Sequence, residues 1–303
     1  MEHTENKKQE SMDNNQIAMK VSAVSIAINL VLSVLKLIAG IVAHSGAMVS
    51  DAIHSASDVG STLIVIVGVR LSGKQSDQEH PYGHERMECV SSIILSGLLL
   101  ATGIGIGISG LENIVKSTSG KAIEIPGMLA LIAAVVSILV KEAMFWYTRY
   151  YAKKIDSSAV MADAWHHRSD ALSSVGALIG IGGARLGFPI MEPIASIVIC
   201  VFIEKAAFDI FKDAIDKMVD KACDEQTEKA LRNCALNTKG VEQVDLLKTR
   251  IFGNKVYVEM EIGADENLSL KDSHAIAENV HDAIEQGWPK IKHILIHVNP
   301  VRM

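Results

Sequence analysis

Asp51-Ala52-Ile53-His54-Ser55-Ala56-Ser57-Asp58 and Asp163-Ala164-Trp165-His166-His167-Arg168-Ser169-Asp170 share the pattern D-A-x-H-x-x-S-D. Both run straight into long apolar segments. On an α-helix, His54 and Asp58 are four residues apart and lie on one face, as do His166 and Asp170. Two such helices facing each other bring two imidazoles and two carboxylates to one point. That donor set suits a tetrahedral divalent transition metal, zinc most naturally. His167 competes with His166, because Asp163 and His167 are also four apart, and the match to the first copy selects His166. Asp51 and Asp163, one heptad before Asp58 and Asp170, are candidates for a supporting shell or for lining an access path. Asn29 is a further polar group at membrane depth, better suited to a bond between helices than to a metal.

The surroundings of these two stretches set the fold class. The chain has 303 residues, 49% of them hydrophobic and only 5% aromatic, with a positive mean hydropathy of +0.25. The apolar residues fall in long runs, the mark of a membrane protein. Six runs of spanning length are expected, at about 17–42, 47–69, 87–111, 125–147, 158–184 and 190–211. The third contains Gly103-Ile104-Gly105-Ile106-Gly107-Ile108, whose small residues permit close helix packing in lipid. Residues 1–16 are polar and read as a disordered cytosolic leader. The mild net charge of −6 argues against a nucleic-acid partner. Four cysteines without CxxC spacing exclude a disulfide framework.

Lys and Arg in the flanking loops set the orientation. Lys7, Lys8 and Lys20, then Arg70, Lys74 and Arg86, then Arg149, Lys153 and Lys154 lie on one side. Only Lys116, Lys121 and Arg185 lie on the other. Both termini are therefore expected in the cytoplasm. The second and fifth spans then run in opposite directions, so the repeated motif is antiparallel, as in inverted-repeat transporters.

The membrane domain is expected over 17–212 and a soluble domain over 213–303. In the latter, 225–236 reads as a helix, and 241–250 and 255–262 as strands joined by a hairpin at Phe252-Gly253-Asn254. Residues 269–286 form an amphipathic helix and 294–298 a last strand. The order α-β-β-α-β gives a small α/β sandwich. Between the second and third spans, Asp77, His80 and His84 are three and four apart in a loop with Pro81 and Gly83 that can fold round an ion. On spacing alone, a metal role and a merely solvated loop are equally good readings of it.

These residues resemble the cation diffusion facilitators, which export zinc and related divalent ions from the cytoplasm in exchange for protons. The resemblance rests on Ser45-Gly46 with Ser50–Asp58, on His80-Pro81-Tyr82-Gly83-His84-Glu85-Arg86-Met87-Glu88, and on Ala162–Asp170. It implies a homodimer of six-helix transmembrane subunits in the plasma membrane, each with an α+β, ferredoxin-like cytosolic domain. The transport site would be His54, Asp58, His166 and Asp170, and the loop site Asp77, His80 and His84. A cytosolic site at the dimer interface would draw on His274 and His297, with Asp245 and Glu259 as co-ligands. The chain departs from the best-known bacterial pattern there: Asp245 and Glu259 stand where histidines occur, and Asn299 where an acid occurs.

Zinc would be cargo, and a structural or regulatory ion in the cytosolic domain. Protons and the bilayer would be the other partners. Ferrous iron, manganese, cadmium and cobalt are alternative cargoes. A membrane-anchored metal sensor is the alternative of another class. Nothing like HExxH or a nucleophile elbow points to an enzyme.

Overall fold

The computed structural model describes residues 2–42, 46–117, 128–185 and 191–302. Among the described residues, six long helices come first: α1 Glu2–Val42, α2 Gly46–Ser72, α3 Met87–Ser117, α4 Met128–Ile155, α5 Ser158–Arg185 and α6 Met191–Met218. Then follow α7 Glu225–Leu236, β1 Gln243–Phe252, β2 Lys255–Asp265, α8 Leu270–Gly287 and β3 Ile291–Val301. The chain divides into two compact units, one spanning Lys8–Ala214 and one built on Ile215–Met303.

The polar leader departs from expectation. Helix α1 continues through it to Glu2. Residues 2–16 contain neither Gly nor Pro and are rich in Glu, Lys and Gln. Such residues extend an existing helix at little cost, because the nucleus is already formed.

Two described stretches, Asn14–Ile38 and Met87–Glu112, are long and apolar enough to cross a membrane. The other long helices each carry a charged side chain in mid-helix, at Asp58, Lys141, Asp170 and Glu204. Large apolar side chains face outward along the first unit, among them Val31, Leu139 and Phe202. A soluble surface would not leave so many uncovered. Inside, Val21, Val65, Leu95, Ile155 and Val160 form a common core with Ala18, Ala152, Ala159 and Ala162. The alanines let helix backbones approach closely.

In the glycine run of α3, Gly103 and Gly107 lie four apart against α6. A side chain at Gly103 would collide with Glu204, and one at Gly107 with Cys200. Gly105 has nothing within 4 Å. The contact therefore uses one helical face and not every alternate position.

The link between α4 and α5 is two residues long, Asp156-Ser157. The Ser157 hydroxyl accepts from the Val160 backbone N–H at 3.2 Å and so caps α5. So short a link forces the two helices to lie antiparallel. Lys141 and Asp170 then stand at matching depths, each about 20 Å from the link at 1.5 Å per residue.

In the second unit, β1 and β2 pair antiparallel from Phe252↔Lys255. The two-residue turn between them has Gly253 at φ 64°, a conformation that disfavours a side chain. Helix α8 carries the chain across to β3, which pairs parallel to β2. The sheet order is β1-β2-β3. Val258, Met260 and Ile262 of β2 pack on Leu231 of α7 and on Val280 and Ile284 of α8, while Glu259 and Glu261 point to the opposite face, as strand alternation requires. Ile284 is fully buried. Ile284→Ala is expected to lower the stability of this unit by about 2–5 kcal/mol, read by chemical denaturation of residues 222–303.

Candidate metal centre

Helices α2 and α5 meet through polar contacts. Asp58 Oδ1 lies 3.6 Å from His166 Nε2. Ser61 Oγ shares a 2.9 Å hydrogen bond with the same nitrogen. One turn on, the Thr62 hydroxyl donates to Asp163 Oδ1 at 3.1 Å. Residue numbers rise along α2 as they fall along α5, so the two helices are antiparallel where they touch.

Asp58, His166 and Asp170 form one group, each offering a ligand atom within 4.8 Å of the others. All three are buried. His54, one turn before Asp58 on α2, is the fourth residue of the expected set. Its side chain, and that of Asp51, lie outside the described residues. The two histidines of the second motif are separated by the packing. His166 faces Asp58, whereas His167 Nε2 lies 3.5 Å from Asp163 and 3.4 Å from Ser25 Oγ of α1. Asp163 thus binds α5 to α2 through Thr62 and supports His167, a bracing position beside the cluster. Asn29 is fully buried, and its side chain has no hydrogen-bond partner among the described residues. The bond between helices expected of it is not made among the described residues.

The sequence reading overlooked Lys141. Its Nζ lies 2.5 Å from Asp58 Oδ2 and 2.9 Å from Asp170 Oδ2. It comes from α4, which carries neither copy of the motif. Lys36 and Arg168, cations near these motifs in the sequence, do not fill that place. Instead, Lys36 donates to Ser55 Oγ at 2.9 Å. The Arg168 guanidinium sits over the Phe145 ring at 4.4 Å, a cation–π contact. The signal that could have found Lys141 was a lysine inside the apolar run Ser137-Ile138-Leu139-Val140-Lys141, since a charge at that depth is costly unless partnered.

A second group of ligand atoms within 4.8 Å of one another is Asp77, His80 and His84 in the loop after α2. Asp77 Oδ1 accepts from the His80 backbone N–H at 2.8 Å, and Asp77 Oδ2 lies 3.6 Å from His84 Nε2. The two imidazole rings are 4.4 Å apart. Lys74, donating to Asp77 at 2.7 Å, and the His80 amide hold the Asp77 carboxyl well below the usual carboxylate range. Its negative charge is thus available to a cation throughout the neutral range.

Residues 22–219 match the cation efflux transmembrane domain, and 223–301 the cation efflux protein cytoplasmic domain. The chain belongs to the cation diffusion facilitator family. This facilitator is a membrane transporter that effluxes cations, not an enzyme. It is 36% identical over 277 residues to the uncharacterized transporter MJ0449 of Methanocaldococcus jannaschii, covering 91% of this chain and 96% of that one. It is 31% identical over 278 residues to the manganese efflux system protein MneS of Bacillus subtilis, covering 92% and 94%. It is 32% identical over 292 residues to metal tolerance protein C1 of Arabidopsis thaliana, covering 93% of this chain but only 62% of that protein.

The C-terminal unit of the facilitator does not gather its four expected ligands in one place. Asp245 sits at a β-bulge between Val244 and Leu246, which re-aims its side chain. There it accepts from Asn299 Nδ2 at 2.9 Å, and Asn299 also donates to Glu261 at 3.2 Å. Glu259 lies 3.9 Å from Arg250. His297 stands in register with Glu261 on the open face of the sheet. His274 pairs with Glu278 at 3.5 Å on α8, across the sheet from that face. Among the described residues, only the intramembrane and loop groups bring three such ligands together. Asn299, an amide in place of an acid, bridges two carboxylates that would otherwise repel.

The Asp77 carboxylate should stay ionised at every pH above about 4. Its side-chain carbonyl NMR shift is accordingly expected to be flat between about pH 4 and 8, and a titration step in that window would contradict the loop geometry.

Proposed function

We propose that this chain is a six-span exporter of divalent transition-metal cations, with zinc as its principal cargo and protons as the counter-ion. The observation that carries the proposal is the convergence of Asp58, His166 and Asp170 from two antiparallel helices. His54, on the same face of α2 as Asp58, completes a set of two imidazoles and two carboxylates. A dication with two carboxylates is close to neutral, which a low-dielectric surrounding favours. Imidazole and carboxylate ligate only when deprotonated, so metal and protons compete for one site. That competition is the physical basis of exchange. Alternating access follows from relative rocking of the helices that bear the two motifs.

Nitrogen donors favour zinc over manganese in the usual affinity order. The name of the relative MneS supports a second reading, with manganese as cargo. In either case both termini face the cytoplasm, the membrane is the plasma membrane, and the C-terminal unit pairs two copies of the chain. The loop group Asp77, His80 and His84 is a second cation site at the membrane face. A cytosolic site using His274, His297, Asp245 and Glu259 requires ligands from both copies.

His54→Ala and Asp170→Ala are each expected to abolish metal-driven proton movement in sealed proteoliposomes while leaving the protein folded and dimeric. Flux of wild-type rate through either variant would remove the assignment. The same vesicles, given zinc and manganese in competition, rank the cargoes: manganese suppressing zinc flux at equal concentration would reverse the order proposed here.

A further inference from the structure

We propose that Lys141 is a tethered cation that closes the Asp58–His166–Asp170 site while it holds no metal, so that an arriving dication binds only by displacing the lysine head. The inference rests on the metal-transport reading of that site.

Three observations carry it. The Lys141 ammonium contacts both carboxylates of the ligand group, at 2.5 and 2.9 Å. The lysine and Asp58 side chains are each 3% exposed, and that of Asp170 8%, so water does little to screen the arrangement. The lysine is supplied by α4, a helix that carries neither copy of the motif.

A transition metal lies about 2.0–2.2 Å from a carboxylate oxygen. An ammonium hydrogen-bonded to both carboxylates fills the same space, so the two cannot be present together. A charged lysine also has three donors and no lone pair, and is no ligand itself. Its flexible four-carbon stem lets the head leave without moving the helix.

The tether sets the terms of competition. Held on the protein, the ammonium faces the carboxylates at an effective concentration in the millimolar range or above. A dissolved monovalent cation offers the carboxylates no more charge than the lysine already does, and so gains little by replacing it. A dication brings twice the charge and also bonds to imidazole nitrogen. Lys141 therefore raises the threshold for occupancy, selects for doubly charged ions, and spares the empty site two unbalanced carboxylates in a dry interior.

The test uses full-length protein in a H80A/H84A background, so that the loop group does not contribute to the signal. Zinc binding is read in detergent by competition with a chromophoric chelator, and zinc flux in proteoliposomes. K141M, nearly isosteric but uncharged, is expected to bind zinc about ten-fold tighter or more and to lower KM, with a lower maximal rate because release slows. K141R, which keeps the charge, should stay close to the parent in both. Loss of a merely structural contact would not tighten binding. K141M binding zinc no tighter than the parent overturns the proposal. K141Q provides the same comparison if K141M is not recovered folded. Failure of both neutral variants to fold beside a folded K141R would make the lysine a strut, and also overturns it. A parent protein that neither binds nor moves zinc would instead defeat the transport reading.

Discussion

Two carboxylates a few ångströms apart, out of reach of water, are not stable without a positive charge between them. Repulsion and lost hydration both oppose their ionisation, and both grow as the local dielectric falls. In this protein the charge comes from Lys141, set between Asp58 and Asp170. The arrangement of the helical unit follows from that need. Helix α2 supplies one acid, α5 the other and an imidazole, and α4 the cation. The two-residue link holds α4 and α5 at matching depth. Each of these elements faces the others' charged or polar groups across the interior.

The loop repeats the same solution in water. Asp77 is held by Lys74 and by a backbone amide while two imidazoles stand beside it. There the lysine is more than half exposed, so its hold is weakened by solvent and salt. In the interior the same pairing is unscreened. The two groups use similar donors in different surroundings, one open to solvent and salt and the other closed to both.

Much of the fold was legible because membrane helices and half-buried strands write strong periodicities into sequence. The start of α2, α3, α5 and α6 falls within a residue or two of the apolar runs, and α7 at Glu225–Leu236 coincides with its amphipathic pattern. The leader was misread because composition alone does not say whether polar helix formers continue an adjoining helix. Of the centre, the doubled motif revealed Asp58, His166 and Asp170, since a repeat at helical spacing implies convergence. It could not reveal Lys141, which belongs to no motif and makes its contacts across 83 and 29 residues of chain. His166 and His167 face different neighbours on α1 and α2, which no local pattern encodes. In the C-terminal unit, the alternation of apolar and polar residues along β2 is plain in the sequence, but the bulge that turns Asp245 towards Asn299 left no mark in the periodicity.

The two-residue link between α4 and α5 has a mechanical corollary. A hairpin so tightly joined, capped by Ser157 and packed through Ala152 and Ala159, has no slack for one arm to slide along the other. The seam that can yield is the one between α5 and α2, where Ser61 and Thr62 form a short ladder of hydroxyl bonds to His166 and Asp163. Each rung is a hydroxyl, able to donate or to accept as its rotor turns, a looser clamp than the short-linked hairpin beside it.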